Sequence, residues 1–256
     1  MNAVVGELEQ RGWRISRASE AELEGGGPPP ANLYLNMCQG AIASERLTTL
    51  ERTGAVMINT PTSVLACHRH HLVRALADAG IPFPRTLIVP TRPSPDVAHT
   101  LSEFVAPHRG VWIKRGDVHA VGPEDVVLTR TDQVLAVLGQ FAERGIERVA
   151  VQEHVRGPVL KFYGVADSGF FKFYDARWGP TGPAPVVDEA RLRGVASDAA
   201  QRLGLKVFGG DVALPAPDQP VLIDLNDWPS FAPYRAEAAS AIASFAHSNA
   251  YPGVAA

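Results

Sequence analysis

Two apolar runs near the end of the chain constrain its fold more than any other feature: VFGGDVAL (207–214) and VLIDL (221–225). A connection rich in Pro and Asp separates them, so the pattern predicts two neighbouring strands joined by a short loop. Each run carries an aspartate, Asp211 or Asp224, whose burial is costly unless a cation or hydrogen bonds compensate the charge. Asn226 lies two residues beyond Asp224 and therefore on the same face of its strand.

We call these three residues, Asp211, Asp224 and Asn226, the metal trio. Two carboxylates and one amide oxygen on one face form an all-oxygen site, which suits Mg²⁺ that keeps its other positions for water and phosphate oxygens. The alternative is that Asp224 and Asn226 close a turn before Pro229, as Asp and Asn often do. The residues alone leave both interpretations open.

Composition excludes several classes of protein. The hydrophobic content of 46% and the charged content of 20% are typical of a globular protein, and 256 residues suffice for one large domain or two modest ones. A net charge of -3 gives no electrostatic footprint for nucleic acid. No apolar run reaches the length of about 18 residues that a membrane helix needs. We therefore expect neither nucleic acid nor membrane as a partner.

Cysteine usage and the N-terminus favour a cytoplasmic location. Cys38 and Cys67 are the only cysteines, and without metal-ligand spacing they are typical of reduced thiols. The first residues, MNAVVGELEQRGW, are polar and periodic, unlike a signal peptide.

The order of predicted elements indicates an α/β protein built of α+β subdomains. A helix over 3–11, a strand over 13–16 and an apolar run at 33–35 predict a short Rossmann-like N-terminal unit that begins abruptly, as though its first strand were missing. We predict later helices over 42–52, 63–79, 98–109, 131–144, 189–203 and 233–245. We predict strands at 55–58, 81–89, 111–114 and 148–155, and a hairpin of 160–165 with 170–174.

Seven short motifs follow one another in a specific order: NTP (59–61), Arg69 with GIPFPRT (80–86), WIKRGDVHA (112–120), VQEHVRG (151–157), LKFYGV (160–165), GGDVAL (209–214) and IDLNDWPSF (223–231). Through them, residues 55–245 resemble the ATP-grasp superfamily. The resemblance implies an N-terminal unit over 1–88 and an ATP-grasp domain over 89–256, with a nucleotide-covering subdomain over 89–155 and a catalytic subdomain over 156–256. Neither GxxxxGK[ST] nor GxGxxG occurs, which disfavours a Walker ATPase or a Rossmann dehydrogenase.

The resemblance also implies residues that bind ATP, with the metal trio holding one or two Mg²⁺ ions. Lys114 resembles the family's strand-end lysine on the α-phosphate. Arg69 stands where relatives usually have a lysine that precedes the one at the strand end. The charge is kept, but a planar, forked guanidinium replaces the point charge of an ammonium group. The alternative for Arg69 is a solvated helix residue among His68, His70 and His71.

The segment 153–155 resembles the family's hinge, whose backbone groups pair with adenine. Gln152 and Glu153 would be its polar side chains, and Val155 would end the segment. A plain edge strand is the alternative interpretation.

Members of this superfamily mostly make an acyl phosphate from a carboxylate and ATP, and an amine then displaces the phosphate. Such a ligase needs cations at the acyl oxygens, and Lys161, Lys172 and Arg177 on the predicted hairpin are the candidates. Lys172 is more simply a solvent-facing charge. We expect the loop 115–125 to be mobile without nucleotide and ordered by phosphate, with His119 near the γ-phosphate or the acceptor; a plain surface histidine is the alternative.

Two departures weaken the ligase interpretation. Lys161 stands where ligases of the glutathione-synthetase and ribosomal-protein-modifying type usually have arginine, and the loop WGPTGPAPVVD (178–188) lacks their Arg and Asn. Lys161, Asp224 and His119 are similar to the inositol-phosphate kinase branch, whose sites need many cations. Candidates for those cations are His68, His70, His71, Arg115 and Arg235.

The third hypothesis is a nucleotide-binding protein without catalytic activity. The feature that favours it is the short N-terminal unit. We place the ligase first. Its acceptor would be a small molecule or a peptide that the residues do not identify, and a homodimer remains open.

Overall fold

The computed structural model describes residues 1–116 and 122–250. Its helices are α1 (Asn2–Gln10), α2 (Glu20–Gly26), α3 (Ala41–Arg52), α4 (Pro61–Ala66), α5 (Arg69–Asp78), α6 (Pro95–Val105), α7 (Val134–Glu143), α8 (Glu189–Arg202) and α9 (Arg235–Ala250). Its strands are β1 (Tyr34–Leu35), β2 (Met57–Ile58), β3 (Thr86–Pro90), β4 (Gly110–Arg115), β5 (Val126–Arg130), β6 (Arg148–Glu153), β7 (Val159–Val165), β8 (Phe171–Asp175), β9 (Val207–Ala213) and β10 (Val221–Asp227).

Two four-stranded antiparallel sheets dominate the described residues. The middle sheet has the order β3-β6-β4-β5, and the C-terminal sheet has the order β10-β9-β7-β8. The predicted β7–β8 hairpin and the predicted pairing of β9 with β10 are both confirmed. This mixture of helices and sheets confirms the predicted α/β class. The predicted domain boundary at residue 88 falls within β3.

One face of the middle sheet is covered by helices, and the other faces β10 of the C-terminal sheet; we call the region between the two sheets the cleft. Alternate residues of β4 and β6, such as Val111 and Val151, pack against α6 and α7 in one apolar core. Trp112, Lys114 and Gln152 alternate with them and therefore project from the opposite face, which we call the middle cleft face.

The C-terminal sheet is built in the same way. α8 packs on one face, where Leu160, Phe162 and Leu225 belong to a single core. The opposite face carries Lys161 and the metal trio, and we call it the catalytic face. Its far end is covered by α9 and α1.

A β-bulge decides which face Asp224 occupies. Leu222 pairs with Val212 and Asp224 pairs with Asp211, so Ile223 is an extra residue on β10. In a regular ladder Asp224 would oppose Gly210 and would project into the core with Leu222. The extra residue turns Asp224 to the face of Asp211, as bulges commonly do when they re-aim a side chain.

The predicted helix over 63–79 is wrong, because the chain forms two helices there. α4 ends at Ala66, and α5 begins at Arg69 after the non-helical backbone of His68. The start of α4 is capped by the Thr60 hydroxyl, which accepts from Ser63 N at 3.2 Å, rather than near Thr62 or Ser63. The break between the helices turns Arg69 inward, where it is 4% exposed.

Other boundaries also differ from the predictions. No strand forms over 13–16, and both α2 and β5 occupy residues for which no helix or strand was predicted. Pro233 lies in a 3-10 turn over Ala232–Tyr234 before α9, rather than in the first turn of that helix.

The N-terminal unit is smaller than a Rossmann-like unit, which is not confirmed. β1 and β2 are parallel but only two residues long each. α1 packs on α9, since Val4 and Leu8 share a core with Ile242 and Ala246. In the described residues, no helix is long and apolar enough to cross a membrane.

Asn59 fastens the N-terminal unit to the C-terminal sheet. Its fully buried side chain accepts from Lys206 N at 2.7 Å and Val207 N at 3.0 Å, and donates to Val207 O at 2.7 Å. One side chain thereby satisfies three backbone groups at the start of β9, so β2 and β9 are held together.

Candidate active site

Three charged residues form a row across the catalytic face. Lys161 on β7 is directly opposite Asp211 on β9, and Asp211 is directly opposite Asp224 on β10. Asn226 lies in the next row, opposite Gly209. The structure therefore places the whole metal trio on one face, with a lysine at its side.

Two glycines before Asp211 allow this close packing. A Cβ at Gly209 would lie 2.7 Å from both Phe162 O and Pro229 Cγ, and one at Gly210 would overlap Asp224 O. Distances below 3.0 Å to backbone atoms cannot be relieved by a side-chain shift. Residues 209 and 210 thus have no room for a side chain, Gly209 on the face of the metal trio and Gly210 on the opposite face beside Phe162.

The electrostatics of the row suit a divalent cation. Burial and the neighbouring Asp224 raise the pKa of Asp211, and the ion pair with Lys161 offsets this only in part. Burial lowers the pKa of Lys161, but Asp211, whose Oδ1 lies 3.0 Å from Lys161 Nζ, outweighs it and the net pKa is raised. A cation between the two carboxylates would relieve the repulsion that raises the pKa of Asp211.

The donor set also fits Mg²⁺. Among the described residues, no group of three His, Cys, Asp or Glu side chains is placed to hold a metal. The metal trio has two carboxylates, so the Asn226 amide oxygen, water and phosphate oxygens would complete the coordination, as is usual for Mg²⁺.

Arg69 connects the two sheets. Its Nη2 lies 2.7 Å from Asp224 Oδ2, and its Nη1 donates to Arg115 O at 3.0 Å. Since the side chain is buried, the alternative of a solvated helix residue is wrong for Arg69. The neighbouring His70 lies with Nδ1 2.9 Å from Gly116 O, at the start of the loop expected to cover phosphates.

Lys114 reaches across the cleft from the end of β4. Its Nζ donates to Ile223 O at 2.9 Å, and the residue is only 5% exposed. Burial lowers the pKa of Lys114 to about 8, although Asp224 pulls it upward. A buried lysine beside the metal trio is placed to contact a phosphate, and phosphate oxygens would compensate its charge.

The predicted adenine segment leaves the middle sheet at the cleft. β6 lies between β3 and β4, so the edge-strand alternative is wrong through Glu153. Gln152 is 3% exposed and its Nε2 donates to Thr86 Oγ1 at 3.2 Å, so this amide is engaged within the sheet. Glu153 and Val155 are half-buried.

Sequence reasoning missed Trp112 on the middle cleft face. Its Nε1 lies 3.0 Å from His154 Nδ1, which fixes the indole beside the hinge. Alternation with the buried Val111 and Ile113 in VWIK (111–114) was the signal that could have identified it.

The other two cations considered for the acyl oxygens, Lys172 and Arg177, have local partners. Arg177 is exposed, and its guanidinium donates to both carboxylate oxygens of Asp175. Lys172 pairs with Glu237 at 2.6 Å. The structure therefore brings Lys161 into the row with the metal trio, whereas these two contact neighbouring carboxylates. His119 lies outside the described residues.

The N-terminal unit also reaches the end of β10. Gln39 Nε2 donates to the buried Asp227 carboxylate at 3.1 and 3.3 Å from its two oxygens. The polar loop before α3, which contains Gln39, carried no recognisable motif, so the sequence did not single it out.

No protein-family model matches the chain, and no curated protein is detectably similar in sequence. Solved structures are similar in fold. An ATP-grasp RimK domain protein from Sphaerobacter thermophilus aligns over 96% of this chain and 94% of its own, with a TM-score of 0.72 at 20% identity. D-alanine–D-alanine ligase from Bacillus anthracis aligns over 97% and 90%, with a TM-score of 0.68 at 13% identity.

A third structure is the ATP-grasp ligase PsnB in complex with a minimal precursor. It aligns over 97% of this chain and 94% of its own, with a TM-score of 0.65 at 14% identity. These identities establish a likeness of fold, and that fold is the one the seven motifs predict. The chain has the ATP-grasp fold.

Proposed function

We propose that the protein is a Mg²⁺- and ATP-dependent ligase that joins a carboxylate to an amine through an acyl phosphate. The observation that carries the proposal is the row of Lys161, Asp211 and Asp224, with the buried Arg69 and Lys114 at its edge. The fold adds support, because the similar structures include proteins whose names state ATP-grasp ligase or D-alanine–D-alanine ligase.

In this proposal the cleft between the two sheets holds ATP. The hinge at Glu153 and Val155 would contact the adenine, while Lys114 and Arg69 would contact the phosphates. The metal trio would hold Mg²⁺, which when bound supplies charge neutralisation to the phosphate oxygens. The positions of these residues fit phosphoryl transfer, which depends on positioning and electrostatics rather than on covalent chemistry from the protein.

Lys161 would orient the acid. Its side chain is 43% exposed beside the metal trio, so it can face both solvent and an incoming carboxylate. A carboxylate oxygen then bonds to the γ-phosphorus as the bond to the bridging oxygen of ADP breaks. The amine nitrogen next attacks the acyl carbon, inorganic phosphate leaves, and the amine loses a proton to give the amide. A fixed ammonium group stabilises the charge that develops on the acyl oxygens.

The middle sheet would exclude water from the acyl phosphate. Lys114 Nζ bonds to Ile223 O, and Arg69 bonds to Arg115 O, so the two sheets already meet beside the metal trio. A closed cleft protects a reactive intermediate from hydrolysis.

Turnover with pools of carboxylic acids and amines tests the proposal. We expect ADP and inorganic phosphate only when both an acid and an amine are present. With hydroxylamine as the amine, a hydroxamate should form, and an oxygen-18 atom from a labelled carboxylate should appear in the phosphate. Label in the phosphate requires a bond between the carboxylate oxygen and phosphorus.

Two outcomes contradict the ligase. Formation of ADP together with a phosphorylated alcohol would instead establish a kinase. Nucleotide binding without ADP formation under any combination of acid, amine and alcohol would establish a binding protein. Asp218→Asn, an exposed change in the loop of the same β9–β10 hairpin, is the control for variants of the metal trio.

A further inference from the structure

Three tyrosines form a cluster beside Lys161. They are Tyr163 on β7, Tyr174 on β8 and Tyr234 in the 3-10 turn before α9. Their ring centroids are separated by 6.2 Å (Tyr163–Tyr174), 6.0 Å (Tyr163–Tyr234) and 6.4 Å (Tyr174–Tyr234). We call these residues the tyrosine cluster.

The strand register places the tyrosine cluster on the catalytic face. Tyr174 is directly opposite Lys161, and Tyr163 lies two residues beyond Lys161 on the same strand. Tyr163 is also opposite Gly209, whose other neighbour is Asn226 of the metal trio. The aromatic surface is therefore continuous with the row of charges at which the acid would be activated.

Hydrogen bonds fix the rings. The hydroxyl oxygens of Tyr163 and Tyr174 lie 3.3 Å apart, and the Tyr234 hydroxyl donates to Phe173 O at 3.4 Å. Tyr163 is buried, whereas Tyr174 and Tyr234 are half-buried and keep part of their surface accessible. A rigid aromatic surface next to an accessible ammonium group is suited to a ligand that is flat at one end and negative at the other.

The charges around the cluster disfavour a cationic ligand. Lys172 Nζ lies 5.7 Å from the centroid of the Tyr234 ring and 2.6 Å from Glu237, so one cation already occupies a face of the cluster. Lys161 stands at the other side. A second cation on the rings would face both ammonium groups.

Unusual backbone geometry lies between the metal trio and the cluster. Trp228 and Phe231 have φ angles of 44° and 50°, in the left-handed region that bulky residues rarely adopt. This turn brings the Phe231 ring within 5.5 Å of Tyr163 and leads directly into Tyr234. Such geometry persists where the surrounding structure holds it, and it is concentrated at functional sites.

We propose that the acid activated at this site is an aromatic carboxylic acid, whose ring packs on the accessible surfaces of Tyr174 and Tyr234 while its carboxylate faces Lys161. The inference rests on the proposed function and names the class of its first substrate. It assigns the tyrosine cluster to recognition of that substrate.

Binding of two matched acids tests this inference without any turnover. The probes are 3-phenylpropionate and 3-cyclohexylpropionate, titrated by calorimetry into the protein with Mg²⁺ and a non-hydrolysable ATP analogue. We expect the aromatic acid to bind about tenfold more tightly, since aromatic pairs gain up to roughly the free energy of one decade in affinity beyond area burial. The neutral alcohol 3-phenylpropanol should bind more weakly than the aromatic acid, because it lacks the charge that faces Lys161.

Variants separate recognition from folding. Tyr174→Ala should abolish the preference between the two acids, while Tyr174→Phe, which keeps the ring, should retain it. Lys161→Met should reduce binding of the aromatic acid to the level of the alcohol. Tyr234→Ala serves as the second test of the ring surface if Tyr174→Ala unfolds, and unchanged affinity for the ATP analogue shows that the cleft is intact.

Equal affinity of the wild-type protein for the two acids, or no binding of either at millimolar concentration, would overturn the inference. A preference that survives loss of the Tyr174 and Tyr234 rings would also overturn it. The proposed function is judged separately, by ADP, phosphate and hydroxamate formation. A selective aromatic site without any turnover would leave the recognition of aromatic acids by the tyrosine cluster standing, but it would remove the ligase and with it the role of the acid as a substrate.

Discussion

Arg69 Nη2 lies 2.7 Å from Asp224 Oδ2, so a residue from the start of α5 neutralises a carboxylate of the metal trio. The other arm of the same guanidinium binds Arg115 O at the end of β4. Because the fork is planar and has several donors, one side chain can hold both sheets in a fixed relation to the proposed phosphate site.

Arg69→Met should lower the free energy of unfolding by about 3 kcal/mol, since it leaves a largely buried Asp224 without this cation. Arg69→Lys should cost less in stability but should still weaken ATP binding, because a point charge cannot make both contacts. Urea denaturation and calorimetry measure the two effects. Arg74→Lys, on the exposed face of the same helix, is the matched control. An equal loss in the free energy of unfolding for Arg69→Met and Arg74→Lys would contradict the role of Arg69.

Asp224→Asn should reduce kcat at least about 100-fold while the fold is retained, because loss of a metal-binding carboxylate removes several kcal/mol of transition-state stabilisation. The amide keeps an acceptor for Arg69, so the circular dichroism spectrum should be unchanged. Thermal melts with Mg²⁺ and ADP should show a smaller rise in Tm than in the wild type. Wild-type turnover in this variant would show that Asp224 does not bind the catalytic metal.

Lys114→Ala should weaken ATP binding by about 2–3 kcal/mol near neutral pH, on the scale of a charge-assisted hydrogen bond and the group left unpaired. In the wild type, ATP affinity should fall by up to about tenfold per pH unit above the lowered pKa of Lys114, because the neutral amine must regain a proton to bind phosphate. The variant should lack this pH dependence. Identical pH profiles for the two proteins would remove Lys114 from the phosphate site.

The same residue predicts how stability without nucleotide depends on pH. The pKa of Lys114 falls from 10.5 to about 8 on folding, so between these values the unfolded chain binds more protons than the folded one. The contribution of Lys114 to the free energy of unfolding is therefore least favourable below about pH 8 and rises with pH up to about 10.5. Urea denaturation across this window should show a steeper rise for the wild type than for Lys114→Met.

Asn59→Ala should destabilise the protein by at least about 3 kcal/mol, because it leaves three backbone groups of Lys206 and Val207 unpaired, and the two of Val207 are buried. The stability of Asn59→Asp should lie between those of the wild type and Asn59→Ala, since a carboxylate still accepts from both N–H groups but cannot donate to Val207 O. Denaturant unfolding measures both variants. Asn249→Ala, whose amide donates to Phe245 O within α9, should stay within about 0.5 kcal/mol of the wild type.

Sequence patterns correctly predicted the elements that form between residues close together in the chain. Apolar runs and their turns predicted the β7–β8 and β9–β10 pairs, and a lysine at the end of an apolar run predicted Lys114 at the end of β4. The predicted helix over 189–203 agrees with α8, which ends at Arg202.

The rest depended on contacts between residues far apart in the chain. Neither run of apolar residues indicates that Ile223 forms a bulge, yet this bulge places Asp224 opposite Asp211. The break before Arg69 is favoured by bonds to Arg115 and Asp224, which lie 46 and 155 residues away. The packing of α1 on α9 likewise joins the two ends of the described chain, and the Rossmann-like interpretation missed it.

The pairing of Thr86 with Gln152 has a consequence for how the cleft can open. These residues begin β3 and nearly end β6, and Glu153 N also donates to Arg85 O at 2.9 Å, so the chain enters and leaves the middle sheet at neighbouring points. Because these two chain crossings are adjacent, the middle sheet can rotate about one axis relative to the C-terminal sheet but is held against twisting. Because paired residues on antiparallel strands lie only about 5 Å apart, a short glycine linker could join Arg85 to His154 and delete the middle sheet with its helices. The remaining protein would keep the metal trio and Arg69 but would lose the sheet that covers them, so a phosphate could bind there but could not be enclosed.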